Sequence, residues 1–148
     1  MIKIVPFKAE HFERLQIRES MAASHQALLT KVAGEHFPPD CAFTLFDDYE
    51  VLGIVGYFPL TTWRVEAWSL ISENITREAV FSGGRMVRRG IQSIYDAGYH
   101  RIEAIVDPND NEAIRMVEFL EFVKEGRLRQ FMHDKRDMLL YSKVKNGQ

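Results

Sequence analysis

Apolar and polar positions change period several times along this chain, and each change predicts an element. From Thr76 onward, Val80, Gly84, Val87, Ile91, Ile94 and Tyr95 recur at steps of three and four, which draws one apolar stripe along a helix. Asp96-Ala97-Gly98 ends that helix, because glycine accepts the left-handed conformation that caps a C-terminus. Before it, the apolar run Trp63 to Ile71, bounded by Ser72-Glu73-Asn74, predicts a strand, and Arg101 to Val106 predicts another. Two strands joined through a helix are expected to lie parallel with a right-handed crossover. After Asp107-Pro108-Asn109, a short helix from Asn111 to Leu120 leads into Phe122 and the last strands.

The first third reads differently. Ile2 to Phe7 predicts a short strand closed by Pro6, followed by a helix from Glu10 to about Glu19 with Phe12 and Leu15 on one face. A second helix is expected over Met21 to Val32, burying Met21, Leu28, Leu29 and Val32, with Gly34 just past its end. His36-Phe37-Pro38-Pro39-Asp40 is a loop, since paired prolines suit neither helix nor central strand. Cys41–Phe46 and Val51–Leu60 predict a hairpin around Asp47-Asp48-Tyr49-Glu50, and Thr61-Thr62 turns the chain into the strand at Trp63. Gly53 and Gly56 inside a strand call for close approach of another element, and a helix packed over them is the expectation. No repeat, low-complexity segment or linker divides the chain, and only Asn146-Gly147-Gln148 reads as a frayed tail.

Composition narrows the class. A chain of 148 residues, 46% hydrophobic and 27% charged, fits one globular domain spanning 1–148. A net charge of −2 and a pI near 6.2 give no global field to attract nucleic acid or an anionic membrane. Arg85, Arg88, Arg89 and Arg101 are offset by many acids, and no base-stacking aromatic motif accompanies them. The single cysteine, Cys41, excludes an internal disulfide and fits a reducing compartment. Its neighbours Ala42 and Phe43 point to a buried thiol. With no signal peptide and no apolar run long enough to span a bilayer, the expectation is a cytoplasmic protein. His133-Asp134-Lys135-Arg136 reads as a polar turn, and no spacing along the chain gathers metal ligands.

The order of elements carries a resemblance. His100 to Val106, Asn111-Glu112-Ala113-Ile114-Arg115, Leu120-Glu121-Phe122 and Glu125-Gly126-Arg127-Leu128-Arg129 resemble the C-terminal half of the GNAT superfamily, the Gcn5-related N-acetyltransferases. Lys135 to Val144 is similar to the final hairpin of many members. Ile2 to Phe7 resembles their first strand and Val51 to Tyr57 their third. The resemblance implies an α/β (α+β) fold: a mixed, mostly antiparallel central sheet with a βαβ core and helices on both faces. It implies acetyl-CoA as co-substrate, a small-molecule or protein amine as acceptor, and a homodimer formed through the last strands. It also implies that the first two helices shape the acceptor site, where His25, His36 and Phe37 either line a cleft or simply surround an exposed loop.

What the resemblance implies for chemistry can be placed on residues. Members bind acetyl-CoA where the central strand ends, here Leu70-Ile71, and the next helix begins. Backbone N–H groups and the helix dipole face the pyrophosphate there. The family pattern (Gln or Arg, two residues, Gly, one residue, Gly or Ala) falls on Glu78-Ala79-Val80-Phe81-Ser82-Gly83, of which only the last position matches. Two readings stand. Ser82-Gly83-Gly84-Arg85 is a displaced phosphate loop, with small residues, a hydroxyl and a forked cation. Alternatively the helix starts at Thr76 and runs straight through, the glycines letting it pack close to the sheet.

For catalysis, Glu66 on the central strand is the candidate base, unless it pairs with Arg64 or another cation. The tyrosine that usually serves as acid is replaced by Val117, and the usual glycine by Glu121. Tyr141 is left as a phenol on the last strand, either an acid or a core residue. These departures are similar to those in GNAT-like proteins of tailed bacteriophages. That similarity implies an alternative, a catalytically silent assembly or interaction module whose partner is a phage or host protein.

Overall fold

The computed structural model describes residues 1–17 and 41–146. The expected second helix and the proline loop, with His25, His36 and Phe37, lie outside the described residues. Among the described residues the elements are, in order, β1 (Ile2–Pro6), α1 (Glu10–Arg14), β2 (Ala42–Asp47), β3 (Glu50–Pro59), β4 (Arg64–Ile71), α2 (Arg77–Asp96), β5 (Arg101–Val106), α3 (Asn111–Phe119), β6 (Val123–Leu128) and β7 (Met138–Val144). The strands form one seven-stranded sheet in the order β1-β2-β3-β4-β5-β7-β6. The chain clusters into two compact units, Met1–Phe58 with Ser69–Met86, and Pro59–Trp68 with Val87–Gln148. The boundary cuts through both β4 and α2.

In the first unit β1, β2 and β3 form an antiparallel meander, with Ile2 opposite Asp47 and Ala42 opposite Gly56. Alternation sorts its side chains onto two faces. On one, Leu45, Leu52 and Ala79 form a cluster joined by Ile2, Ile75 and Met86, so the start of α2 packs over this face. On the other, Val5 stands opposite Thr44 and Lys3 opposite Phe46. Helix α1 covers that face with His11, whose ring meets Phe46 edge-on at 5.1 Å.

Helix α1 is shorter than its sequence suggests. Ala9 offers no side-chain cap, and Leu15 has already turned to extended backbone (φ −85°, ψ 124°). A five-residue helix without a cap has little intrinsic stability, and the chain instead pairs Ile17 with Ser72 in a lone antiparallel bridge.

Gly53 is also explained differently. A Cβ there would stand 3.3 Å from both the Ile71 Cδ1 and the Leu70 carbonyl oxygen. The close neighbour is therefore the end of strand β4, where a helix was expected.

In the second unit the βαβ reading is realised, with β4 and β5 parallel and Arg64 opposite Arg101. β7 lies antiparallel between β5 and β6. Helix α2 ends at Gly98 (φ 107°). There the Tyr99 N–H donates to the Ile94 carbonyl at 3.4 Å and the Gly98 N–H to that of Tyr95 at 3.0 Å, the two bonds of a Schellman cap. Helix α3 starts on Asp110, whose carboxylate accepts from the Ala113 N–H at 3.1 Å. No helix among the described residues is long and apolar enough to cross a membrane.

Candidate functional site

The junction between β4 and α2 lies within the first unit and is built on Ser72. This serine is buried; its N–H donates to the Leu52 carbonyl at 2.9 Å, and its Oγ accepts from the Asn74 N–H at 3.1 Å. Gln16 holds the same turn from outside, accepting from the Glu73 N–H on its carbonyl at 2.8 Å and from Asn74 Nδ2 on its side chain at 2.9 Å. Thr76 then caps α2, its Oγ1 accepting from the Ala79 N–H at 3.2 Å and its carbonyl from the Val80 N–H at 3.0 Å.

This placement decides the backbone question at Ser82–Arg85. These residues lie inside α2, where each N–H is engaged in the helix's own ladder. No loop forms there, so the displaced phosphate loop is corrected: Thr76 supplies the cap, and a helix of 20 residues runs through the glycines. Gly83 has a packing reason, because a Cβ on it would lie 3.0 Å from Leu45 Cδ2. Leu70 is buried and Ile71 half-buried at the strand end.

The donors left at this junction are the N–H groups of Arg77 and Glu78, which have no acceptor among the described residues. They sit at the positive end of the helix dipole. Glu78, the acid of this first turn, already answers part of that charge.

In the second unit Glu66 is half-buried on β4, in register with Glu103 on β5. Arg64 Nε lies 3.0 Å from Glu103 Oε2. Arg101 reaches Glu103 at 3.3 Å and Glu125 at 2.6 Å. These contacts hold the Arg101 guanidinium above its ordinary range and the Glu125 carboxyl below its own, each chiefly through the hydrogen bond to the other. Glu66 thus borders a ladder of two carboxylates and two guanidinium groups. Sequence reading missed this ladder, although the alternation of Arg101 and Glu103 with buried Ile102, Ala104 and Val106 marks it.

Tyr141 stands opposite Ala104, whereas Glu66 stands opposite Glu103. Successive residues of β5 point to opposite faces, so the sheet separates Glu66 from Tyr141. Only 3% of Tyr141 is exposed. Burial, with the Glu118 charge adding, pushes its phenol above the ordinary value. This is the core tyrosine of the two readings. Val117, at the position of the usual acid, is buried in α3.

Glu121 has a left-handed backbone, φ 65°. Its N–H donates to the Glu118 carbonyl and that of Phe122 to Val117, both at 2.9 Å. This repeats the cap at Gly98, so the usual glycine is replaced while the conformation that calls for it is kept.

Comparison with solved structures fits this architecture. The chain superposes on Ard1 from Thermoplasma volcanium with a TM-score of 0.76 at 17% identity, covering 97% of each chain. It superposes on a GNAT family acetyltransferase from Elizabethkingia anophelis, solved with acetyl-CoA bound, with a TM-score of 0.72 at 14% identity, covering 97% of this chain and 98% of that one. This is the GNAT fold. It also superposes on yncA from Salmonella typhimurium with its cofactor acetyl-CoA, with a TM-score of 0.66 at 12% identity, covering 97% of this chain and 93% of the other. No protein-family model and no curated protein sequence matches the chain. The GNAT fold is therefore held here at very low sequence identity, and the residues at its junctions must be read on their own chemistry.

Proposed function

We propose that this chain is an acetyl-CoA-dependent N-acetyltransferase acting on an amine. The observation that carries the reading is the likeness of nearly the whole chain to acetyltransferases, two of them solved with acetyl-CoA. The β4–α2 junction fits the cofactor in part. The Arg77 and Glu78 N–H groups and the dipole of α2 suit a pyrophosphate, and Arg77 places a cation at the first helical position. Bound acetyl-CoA supplies an acyl group activated as a thioester: the amine nitrogen forms the new C–N bond, the C–S bond breaks, and the electron pair leaves on sulfur. Glu66 is the carboxylate proposed to take the amine proton. Tyr141 has no part in the transfer, being buried on the opposite face.

Specific features favour a second reading, a catalytically silent interaction module of the kind the bacteriophage similarity implies. Ser82–Arg85 is helix, Glu78 opposes an anion at the junction, and Val117 cannot donate a proton.

Thermal unfolding with acetyl-CoA and with CoA separates the two. Ligand at a hundredfold excess over Kd adds about 2.7 kcal/mol, or roughly 5–10 °C for a domain of this size. Under the enzyme reading both ligands raise Tm saturably. Glu78→Gln tightens binding severalfold, and Glu66→Gln abolishes transfer to an amine while leaving the Tm shift intact. No shift with either ligand would remove the enzyme reading and leave the silent one.

A further inference from the structure

A cavity of about 410 Å³ opens in the first unit beside edge strand β1, within the range of small-molecule sites, roughly 300–1,000 Å³. Lys3, Lys8, His11 and Arg14 line it, and Phe46 and Tyr49 are among its apolar walls. The polar groups are almost all donors. Neither Lys3 nor Lys8 makes an ion pair among the described residues. The acid that also lines the cavity, Asp48, is already engaged by the N-terminal ammonium at 3.2 Å.

Arg14 is held in place without losing its charge. Its guanidinium lies over the Phe46 ring, 5.2 Å from the centroid, and donates to the Tyr49 carbonyl. His11 is 95% buried, being 5% exposed. Its Nδ1 accepts from the Lys8 N–H at 3.1 Å and meets Thr44 Oγ1 at 2.7 Å. An Nδ1 that accepts must leave the ring proton on Nε2, so the second nitrogen is a donor, with no acceptor among the described residues.

Three cations that make no ion pair among the described residues line, together with His11, a cavity with aromatic and aliphatic walls. Such a lining is complementary to an acceptor-only group on an apolar body. We propose that this cavity binds a small aromatic carboxylate, the carboxylate held by the Lys3, Lys8 and Arg14 charges and the His11 Nε2–H, the ring against Tyr49 and Phe46. The site is independent of the acetyltransferase reading, since none of its residues belongs to the β4–α2 junction or to β5.

The test uses the full chain and benzoate as probe, with two controls. Benzylamine keeps the ring and reverses the charge; inorganic phosphate keeps the charge and removes the ring. Titration followed by the backbone amides of Lys8 and His11 and by the His11 ring resonances is expected to show saturable benzoate binding. Benzylamine should give no response, and phosphate should bind several times more weakly than benzoate. The double variant of exposed lysines, Lys3→Ser with Lys8→Ser, which leaves the core untouched, should weaken benzoate by about fivefold or more. Arg14→Gln should weaken it similarly. The proposal is overturned if benzoate gives no saturable change, if benzylamine or phosphate binds as well as benzoate, or if the lysine variant leaves the benzoate Kd unchanged.

Discussion

At the scale of single residues, Glu121 shows how a position can keep its role and lose its usual occupant. It stands where Gly98 stands one helix earlier, as the left-handed residue of a C-terminal cap. An L-residue with a side chain costs about 1–2 kcal/mol in that conformation. Against this, Glu121 gains a contact with Lys143 at 3.6 Å with its own side chain 78% exposed, a pair of little worth in water. Glu121→Gly should therefore stabilise the fold by about 1 kcal/mol, raising Tm by roughly 2–4 °C. Chemical denaturation checks this, and an unchanged or lowered midpoint would show that the side chain is needed. The glycine's absence was legible in the sequence; its retained backbone was not, because φ leaves no mark once the glycine is gone. His11 was missed for a related reason. A histidine in a short uncapped segment looks exposed, and only the pairing of β1 with β2 brings Thr44 and Phe46 against it.

At the scale of elements, α2 carries most of what periodicity could predict. Its stripe, its start at Thr76 and its stop at Gly98 follow from local rules, and these act over a few residues whatever the rest of the chain does. What periodicity could not assign is the reason for each glycine within it. A Cβ on Gly83 would press on Leu45, whereas one on Gly90 would meet nothing within 4 Å. Gly90→Ala should therefore stabilise the protein by about 1 kcal/mol, the helix-propensity difference. Gly83→Leu should destabilise it by about 1–3 kcal/mol through overpacking. Paired urea titrations would check both, and destabilisation by Gly90→Ala would mean that its face of α2 is covered. Helix α1 failed the other way: its apolar spacing suggested ten residues, but without a capping side chain the backbone left the helix at Leu15.

At the scale of the whole molecule, acid should act in two steps. Burial holds the His11 imidazole below its usual value of 6.5, with Arg14 and Lys8 reinforcing this and Glu10 opposing it. Between 6.5 and that lowered value the unfolded chain binds more protons than the folded one. The stability due to His11 is therefore complete above pH 6.5 and is lost as pH falls through the folded value. Glu125, held below 4.5 chiefly by Arg101, adds a second loss at lower pH by the same sign. Unfolding free energies measured downward from neutral pH should decline in these two stages. The first decline should vanish in His11→Asn, and its persistence there would assign it to another group. The antiparallel meander and the parallel pair β4–β5 were legible from the alternation of elements, whereas the place of β7 between β5 and β6 was not. Nor was the division of the chain, since it depends on contacts between residues far apart in sequence. Because that division cuts β4 and α2, neither unit is an unbroken stretch of polypeptide. On the ribosome, therefore, the first unit is incomplete until Met86 has emerged. Pro59–Trp68 must wait, passed by, for β5 to be made, a delay on the order of seconds at ~5–20 residues per second. No single cut therefore parts one unit from the other: a break after Met86 leaves Pro59–Trp68 on the wrong side, and a break before Pro59 leaves Ser69–Met86 there.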